Sequence, residues 1–147
     1  LLLYTRGLAI QPSHIQELVP QAREANVFRL VDAILQRHLA DAGRWLHQLL
    51  AEGMAPGQLL ALLARQLRLI VQARDLVPQN LPTPELQRQL GLPNEYALRR
   101  TLVQARQYSL PRLSEVYHHL LETDLAIKTG QRGEGLALDL LLAELGQ

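Results

Sequence analysis

Residues 56–77 read PGQLLALLARQLRLIVQARDLV. Apolar side chains cover most of this stretch, and polar ones recur at Arg65, Arg68, Gln72 and Asp75, three or four residues apart. That spacing places the polar side chains on one narrow stripe of an α-helix. The stretch therefore predicts a helix that is buried on most sides, at the centre of a helical domain.

Proline, glycine and N-cap residues divide the rest of the chain into further helical segments. Asn26 is predicted to cap one of them, because its side-chain oxygen can accept from a free backbone N–H and a single apolar face follows. Pro20 is predicted to end the preceding helix, and Gly53 to end a later one through a left-handed backbone. No hairpin signal occurs, so we predict an all-α bundle. The predicted helices cover about 12–20, 27–35, 42–50, 56–77, 84–90, 93–108, 109–130 and 136–145.

The composition excludes several classes of protein. Of the 147 residues, 48% are hydrophobic and 20% are charged, which is typical of a folded domain and excludes a disordered chain. The longest apolar run, residues 59–64, is far shorter than the roughly 20 residues that cross a bilayer, so no membrane partner is expected. Cysteine is absent, which excludes disulfides and is compatible with a cytoplasmic location. The chain starts at Leu1 without an initiator methionine, and we interpret it as part of a larger protein.

Charged and aromatic residues give further local predictions. The net charge is only +1, but all basic residues except Lys128 are arginines, whose planar guanidinium groups suit carboxylates and phosphates. Asp124 precedes Lys128 by four residues, which predicts an ion pair on one helix. Trp45 follows the apolar face of its helix and is predicted to be buried, so that Trp45→Ala would cost about 3–5 kcal/mol.

We expect no catalytic, cofactor or metal site on this chain. A phosphate-binding loop needs glycines before a Lys-Ser/Thr pair, but the pair Lys128-Thr129 follows a helical segment that lacks them. The histidines form no His-Glu-x-x-His motif, and His118 with Glu122 would supply two ligands where zinc needs three or four. No Gly-x-Ser-x-Gly nucleophile motif is present.

Residues 86–106 leave an alternative function open. A short helix, a turn at residues 90–92 and a second helix with Arg99, Arg100 and Arg106 have the order of a helix-turn-helix, in which the second helix reads the major groove. The start of that second helix, Pro93 to Tyr96, is poor in base-reading donors. An autonomous DNA-binding domain is therefore the alternative to a structural subunit region.

Four stretches carry a resemblance to a known family. They are EANVFRLVDAI at 24–34, LLALLARQLRL at 59–69, LGL at 90–92 and DLAIKTG at 124–130. In this order and spacing they resemble the C-terminal half of the delta subunit of the bacterial DNA polymerase III clamp loader. The resemblance covers nearly the whole chain.

The resemblance implies a domain organisation and a set of partners. Residues 1–24 would be the tail of the small helical lid of an AAA+ module, and residues 25–147 would be the helical collar domain. In this family the collars of several subunits form a ring that holds the loader together, while an N-terminal module outside this chain grips the sliding clamp. The parent would be a non-catalytic subunit of the DNA-directed DNA polymerase III holoenzyme, a nucleotidyltransferase complex, because delta subunits leave ATP hydrolysis to their neighbours.

The same resemblance suggests which residues face the primer–template DNA. The start of the helix at 94–100 and the loop at 128–135 would lie near the primer–template junction. An aromatic residue would be expected after Lys128, but Gln131 and Arg132 stand there, which leaves Tyr96 as the candidate for stacking on a base. The candidate DNA-facing residues are Tyr96, Arg99, Arg100, Lys128 and Arg132.

Overall fold

The computed structural model describes the backbone of residues 12–146 and the side chains of residues 22–146. Within these residues the chain forms seven α-helices and one short 3₁₀ turn, without a strand, which confirms the predicted all-α class. None of these helices has the length and apolar character needed to span a bilayer. Residues 1–11 of the segment predicted as the lid tail lie outside the described residues. The helices are α1 (Pro12–Leu35), α2 (Leu39–Ala51), α3 (Pro56–Leu76), α4 (Thr83–Leu90), α5 (Glu95–Gln107), α6 (Leu110–Lys128) and α7 (Glu134–Leu145), and the 3₁₀ turn is Val77–Gln79.

The prediction that one helix ends at Pro20 and another begins at Asn26 is wrong. Helix α1 runs through both residues to Leu35. A proline removes one backbone donor, but the apolar face that starts at Phe28 packs into the core, and this burial outweighs the loss. Asn26 is buried inside the helix, where its Oδ1 accepts from Nη1 of Arg29 at 2.8 Å, so it does not act as a cap.

Several other helix ends confirm the predictions. Gly53 and Gly91 follow α2 and α4 with φ angles of 101° and 67°, a left-handed backbone that strains other residues. The Oγ of Ser109 accepts from the backbone N–H of Arg112 at 3.3 Å and so caps α6. Helix α7 begins at Glu134, slightly before the predicted start.

Helix α3 lies at the centre of the bundle, as its sequence predicts. It packs against α5 and α6 and also contacts α1 and α4. Its polar stripe at positions 65, 68, 72 and 75 is exposed, which confirms the predicted orientation. The buried residues of α3 are Leu59, Leu60, Leu63, Ala64, Gln66, Leu67, Leu69, Ile70 and Ala73.

Trp45 lies at the edge of the core and is only partly buried, which corrects the prediction that it is buried. Its ring is partly buried against the core, while the guanidinium groups of Arg29 and Arg44 lie 5.2 and 5.0 Å from its centroid. These cation–π contacts cover part of the indole that the core does not reach. The cost of Trp45→Ala should therefore be below that of a fully buried tryptophan.

Arg112 is a buried charge that joins three helices, and its side chain is only 9% exposed. At the end of α1, its Nη2 donates to the carbonyl of Ile34 at 2.7 Å and its Nε to that of Leu35 at 3.3 Å. Its Nη2 also donates to the carbonyl of Leu145 at 2.9 Å, at the end of α7, and its Nη1 pairs with Glu115 at 2.8 Å. The last carbonyls of a helix lack donors of their own helix and carry the negative end of its dipole. A guanidinium at this point therefore satisfies the ends of α1 and α7 together.

We expect Arg112→Ala to lower the free energy of unfolding by about 3 kcal/mol, because the carbonyls of Leu35 and Leu145 lose their guanidinium donor and that of Ile34 keeps only the backbone N–H of Arg37. Urea unfolding followed by circular dichroism measures the change. Arg106→Ala, on the exposed side of α5, serves as the control and should cost less than about 0.5 kcal/mol. Equal midpoints for the two variants would contradict the role of Arg112.

Candidate functional site

The start of α5 is held in place by its cap. The Oδ1 of Asn94 accepts from the backbone N–H of Ala97 at 2.7 Å, and its Nδ2 donates to the Oε1 of Glu24 on α1 at 3.4 Å. The side chain of Asn94 thus caps the start of α5 and also contacts α1. This fixes the start of α5, whose first turn carries Tyr96 and whose second turn carries Arg99 and Arg100.

Tyr96 presents an aromatic ring at the surface. Its ring meets that of Phe28 edge-on, with centroids 5.8 Å apart and an interplanar angle of 83°. The residue is nevertheless 36% exposed. An edge-to-face contact positions the ring while part of the residue stays accessible.

The two arginines of this turn differ in their contacts. Arg99 is exposed and pairs with Glu95 on the same helix at 3.4 Å, a weak surface ion pair that is easily exchanged. Arg100 donates to the Oδ2 of Asp32 at 2.9 Å, and its guanidinium lies 5.5 Å from the centroid of Phe28. Arg99 can therefore contact a group outside the domain, whereas Arg100 is engaged by Asp32 and Phe28 within it.

Lys128 and Arg132 lie at the other candidate position, around the end of α6. The Nζ of Lys128 is 2.7 Å from the Oδ2 of Asp124, which confirms the predicted ion pair. Arg132 is exposed in the turn before α7, and its backbone N–H donates to the carbonyl of Ala126 at 3.3 Å. Within the described residues, no hydrogen bond or ion pair joins these two to the group on α5.

A polar network around Asp32 lies beneath α5, and sequence reasoning missed it. The Oδ1 of Asp32 accepts from Nε2 of Gln104 at 2.9 Å and from the hydroxyl of Tyr108 at 2.8 Å. Its Oδ2 accepts from Arg100. A carboxylate that is partly removed from water is stable only when its oxygens are paired in this way.

The network extends to α3 through Gln66. The Nε2 of this buried residue donates to the Oγ1 of Thr101 at 3.0 Å and to the Oε1 of Gln104 at 2.9 Å. One signal was available in the sequence, because Thr101 and Gln104 lie three residues apart on the face that α5 turns inward, and Tyr108 follows directly after the helix. Polar residues on a buried helix face indicate a hydrogen-bonded network.

The phenol of Tyr108 is the group of this network whose pKa is shifted most. Burial, together with the hydrogen bond to the Asp32 carboxylate, raises the pKa of the Tyr108 phenol well above its ordinary value. Gln104 and Tyr108 thus both donate to Asp32, and these hydrogen bonds hold α5 against α1. Among residues with described side chains, no group of three His, Asp or Glu is placed to hold a metal ion.

The comparisons with known proteins agree with this architecture. The family described as "DNA polymerase III delta subunit, C-terminal domain" matches residues 24–145 of the chain. The chain belongs to this family. The resemblance predicted from the four sequence stretches is thereby confirmed.

A sequence match and a structure match, both to a delta protein of Bacillus subtilis, extend this comparison. The chain is 27% identical over 131 residues to the DNA polymerase III subunit delta of Bacillus subtilis (strain 168). The aligned region covers 89% of this chain and 38% of that protein. The solved structure of the Bacillus subtilis DNA clamp loader delta protein matches with a TM-score of 0.74 at 26% identity, over 96% of this chain and 41% of that one. The chain thus spans about two fifths of the length of each relative.

These similarities do not favour an autonomous helix-turn-helix at residues 86–106. The two helices and the Gly91 turn are present as α4 and α5. However, α5 packs against α1 and α3 through a largely internal face. Its buried residues are Ala97, Leu98, Thr101, Gln104 and Ala105.

The raised pKa of Tyr108 predicts a loss of stability at alkaline pH. The folded chain keeps the phenol proton where the unfolded chain, with an ordinary tyrosine pKa near 10, releases it. The contribution of the Tyr108 phenol to the free energy of unfolding is therefore complete below about pH 10 and declines as the pH rises above that value. Urea unfolding of wild type and Tyr108→Phe between pH 8 and 11 measures it. At pH 8 the variant should lose about 1 kcal/mol, and its stability should fall less steeply above pH 10; parallel pH profiles would contradict the prediction.

Proposed function

We propose that this chain is the collar region of a clamp-loader delta subunit, which helps to load the sliding clamp onto primed DNA during replication. The observation that supports it best is the match to the Bacillus subtilis DNA clamp loader delta protein over 96% of the chain with a TM-score of 0.74. In this proposal residues 1–24 end the AAA+ lid and residues 25–147 form the collar. The parent works in the cytoplasm without a catalytic site on this chain, and it contacts the sliding clamp through its N-terminal module.

The internal contacts suit an assembly role. Arg112 and the Asp32 network fix α1, α3, α5, α6 and α7 relative to one another through bonds of defined geometry. A domain held in this way presents its outer helix faces in one arrangement, which lowers the entropic cost of binding other subunits. Several large apolar side chains remain exposed on those faces. They are Leu39, Val77, Tyr96, Val103, Leu110, Leu121, Leu125 and Leu136.

The collar proposal is tested by reconstitution. The parent protein is mixed with the other purified subunits of its clamp loader, and the complex is followed by sedimentation. We expect the intact parent to join the complex. A shortened parent that lacks residues 12–147, and with them all of α1 to α7, should remain outside it. A shortened parent that still joins with unchanged affinity would contradict the proposed role.

We also propose that Tyr96, Arg99, Arg100, Lys128 and Arg132 lie on the side of the collar that faces primer–template DNA. Tyr96 offers a partly exposed ring, and Arg99 and Arg132 offer exposed guanidinium groups. Arg100 and Lys128 are paired with Asp32 and Asp124, which hold them at fixed places and offset their charge, so they would contact a phosphate only through N–H donors that these pairs leave unused. Contacts of this kind bind phosphates without reading the sequence.

We expect the double variant Arg99→Glu, Arg132→Glu to weaken primer–template binding by the assembled loader. If both residues contact duplex phosphates, the slope of log affinity against log salt should become shallower by about two. A binding titration at several salt concentrations measures this, with Arg44→Glu on α2 as the matched control. Arg100 is left unchanged because its loss would break the bond to Asp32.

Two results would count against this assignment. Wild-type binding by the double variant would remove both arginines from the DNA path. Sequence-selective, nanomolar binding by the isolated chain would instead favour the autonomous DNA-binding domain.

A further inference from the structure

Helices α3 and α6 lie side by side and leave a groove of about 530 Å³ between them. We name it the α3–α6 groove. Most of its lining is apolar, and Leu110 at the start of α6 is half exposed there. The apolar lining residues are Leu67, Val71, Leu110, Leu113 and Tyr117.

The apolar surface of α6 continues beyond the groove. At about 100° per residue, Tyr117 and Leu121 point within about 20° of Leu110, and Leu125 within about 60°. Leu121 is 46% exposed and Leu125 is 61% exposed. The side chains that α6 turns into its own core, such as Leu120, occupy the neighbouring arc. Helix α6 therefore carries a partly exposed apolar stripe, with Ser114 within it and Lys128 at its end.

The rim of the groove carries a cation. The Nη1 of Arg68 donates to the hydroxyl of Tyr117 at 3.2 Å. None of the ion pairs among the described residues includes Arg68. A guanidinium has five N–H donors, so this one can still bind a carboxylate.

We propose that the α3–α6 groove binds one amphipathic helix of a neighbouring clamp-loader subunit. The apolar face of that helix covers Leu110, Leu121 and Leu125, and one of its carboxylates pairs with Arg68. This is the helix-in-groove mode of recognition, with charge complementarity at the rim. The inference rests on the proposed function, because it takes the partner from the assembled loader.

A second copy of this chain fits the groove less well. A symmetric pair would place the same surface on both sides of the contact, with a cationic Arg68 on each. Like charges at such a contact are unfavourable. A partner helix that brings an acidic residue removes this repulsion.

Affinity measurements with the parent protein test the groove. The dissociation constant of the parent for the other purified loader subunits is measured for Leu121→Asp and for Arg68→Glu. Each variant should weaken binding by at least about ten-fold. The matched controls are Ala40→Asp and Arg44→Glu, both at exposed positions of α2, and both should stay within about two-fold of wild type. Circular dichroism checks that each variant is folded, and Arg68→Glu alone decides the question if Leu121→Asp is not.

A photo-crosslinker at Ser114, an exposed groove residue, identifies the occupant. Crosslinking to a helix of another loader subunit is expected. Crosslinking to a second copy of this chain, or no crosslink in a complex that has assembled, would overturn the inference. Wild-type affinity of both groove variants in an assembled complex would overturn the groove but leave the collar proposal standing. Failure of the unmodified parent to join the loader would overturn both.

Discussion

The guanidinium of Arg112 holds the carbonyl ends of α1 and α7 from within α6, and the packing of the bundle depends on this contact. The two helix ends meet with their negative dipole ends close together, which is unfavourable without a cation between them. The outer partner of Arg112 is Glu115, and the hydrogen bond between them lowers the pKa of that carboxyl. One side chain thus connects residues that are 77 and 33 positions away in the sequence.

A second anchor is the Asp32 network, which holds α5 against α1 and α3. Together with Arg112, which contacts Ile34, it fixes the last turn of α1 from two sides. Both anchors consist of groups that are satisfied by other groups of the same chain. They leave the outer faces of α3, α5 and α6 as the surfaces available to partners. Buried polar groups that are hydrogen-bonded, with apolar and cationic side chains at the surface, are typical of a domain that binds other macromolecules.

Local chemistry explains which features could be predicted from the sequence. The turn at Gly53, the cap at Ser109 and the ion pair of Asp124 with Lys128 each depend on residues within a few positions, so they were predicted correctly. The break at Pro20 was not, because the burial of the following apolar face is a tertiary effect that overrides the local signal. The bond between Asp32 and Tyr108 spans 76 positions and required the packing of α1 against α5 to be known. The candidate DNA-facing residues came from the family resemblance, and the structure adds that Arg99 is accessible while Arg100 is engaged.

The most direct test of the collar role is a structure of the assembled clamp loader by electron cryo-microscopy. We predict that the seven helices keep their present arrangement within a ring of subunits. We further predict that the α3–α6 groove is covered by a helix of the adjacent subunit, with a carboxylate at hydrogen-bond distance from Arg68. A map in which this domain lies outside the ring, with the outer faces of α3 and α6 in solvent, would contradict the role proposed here.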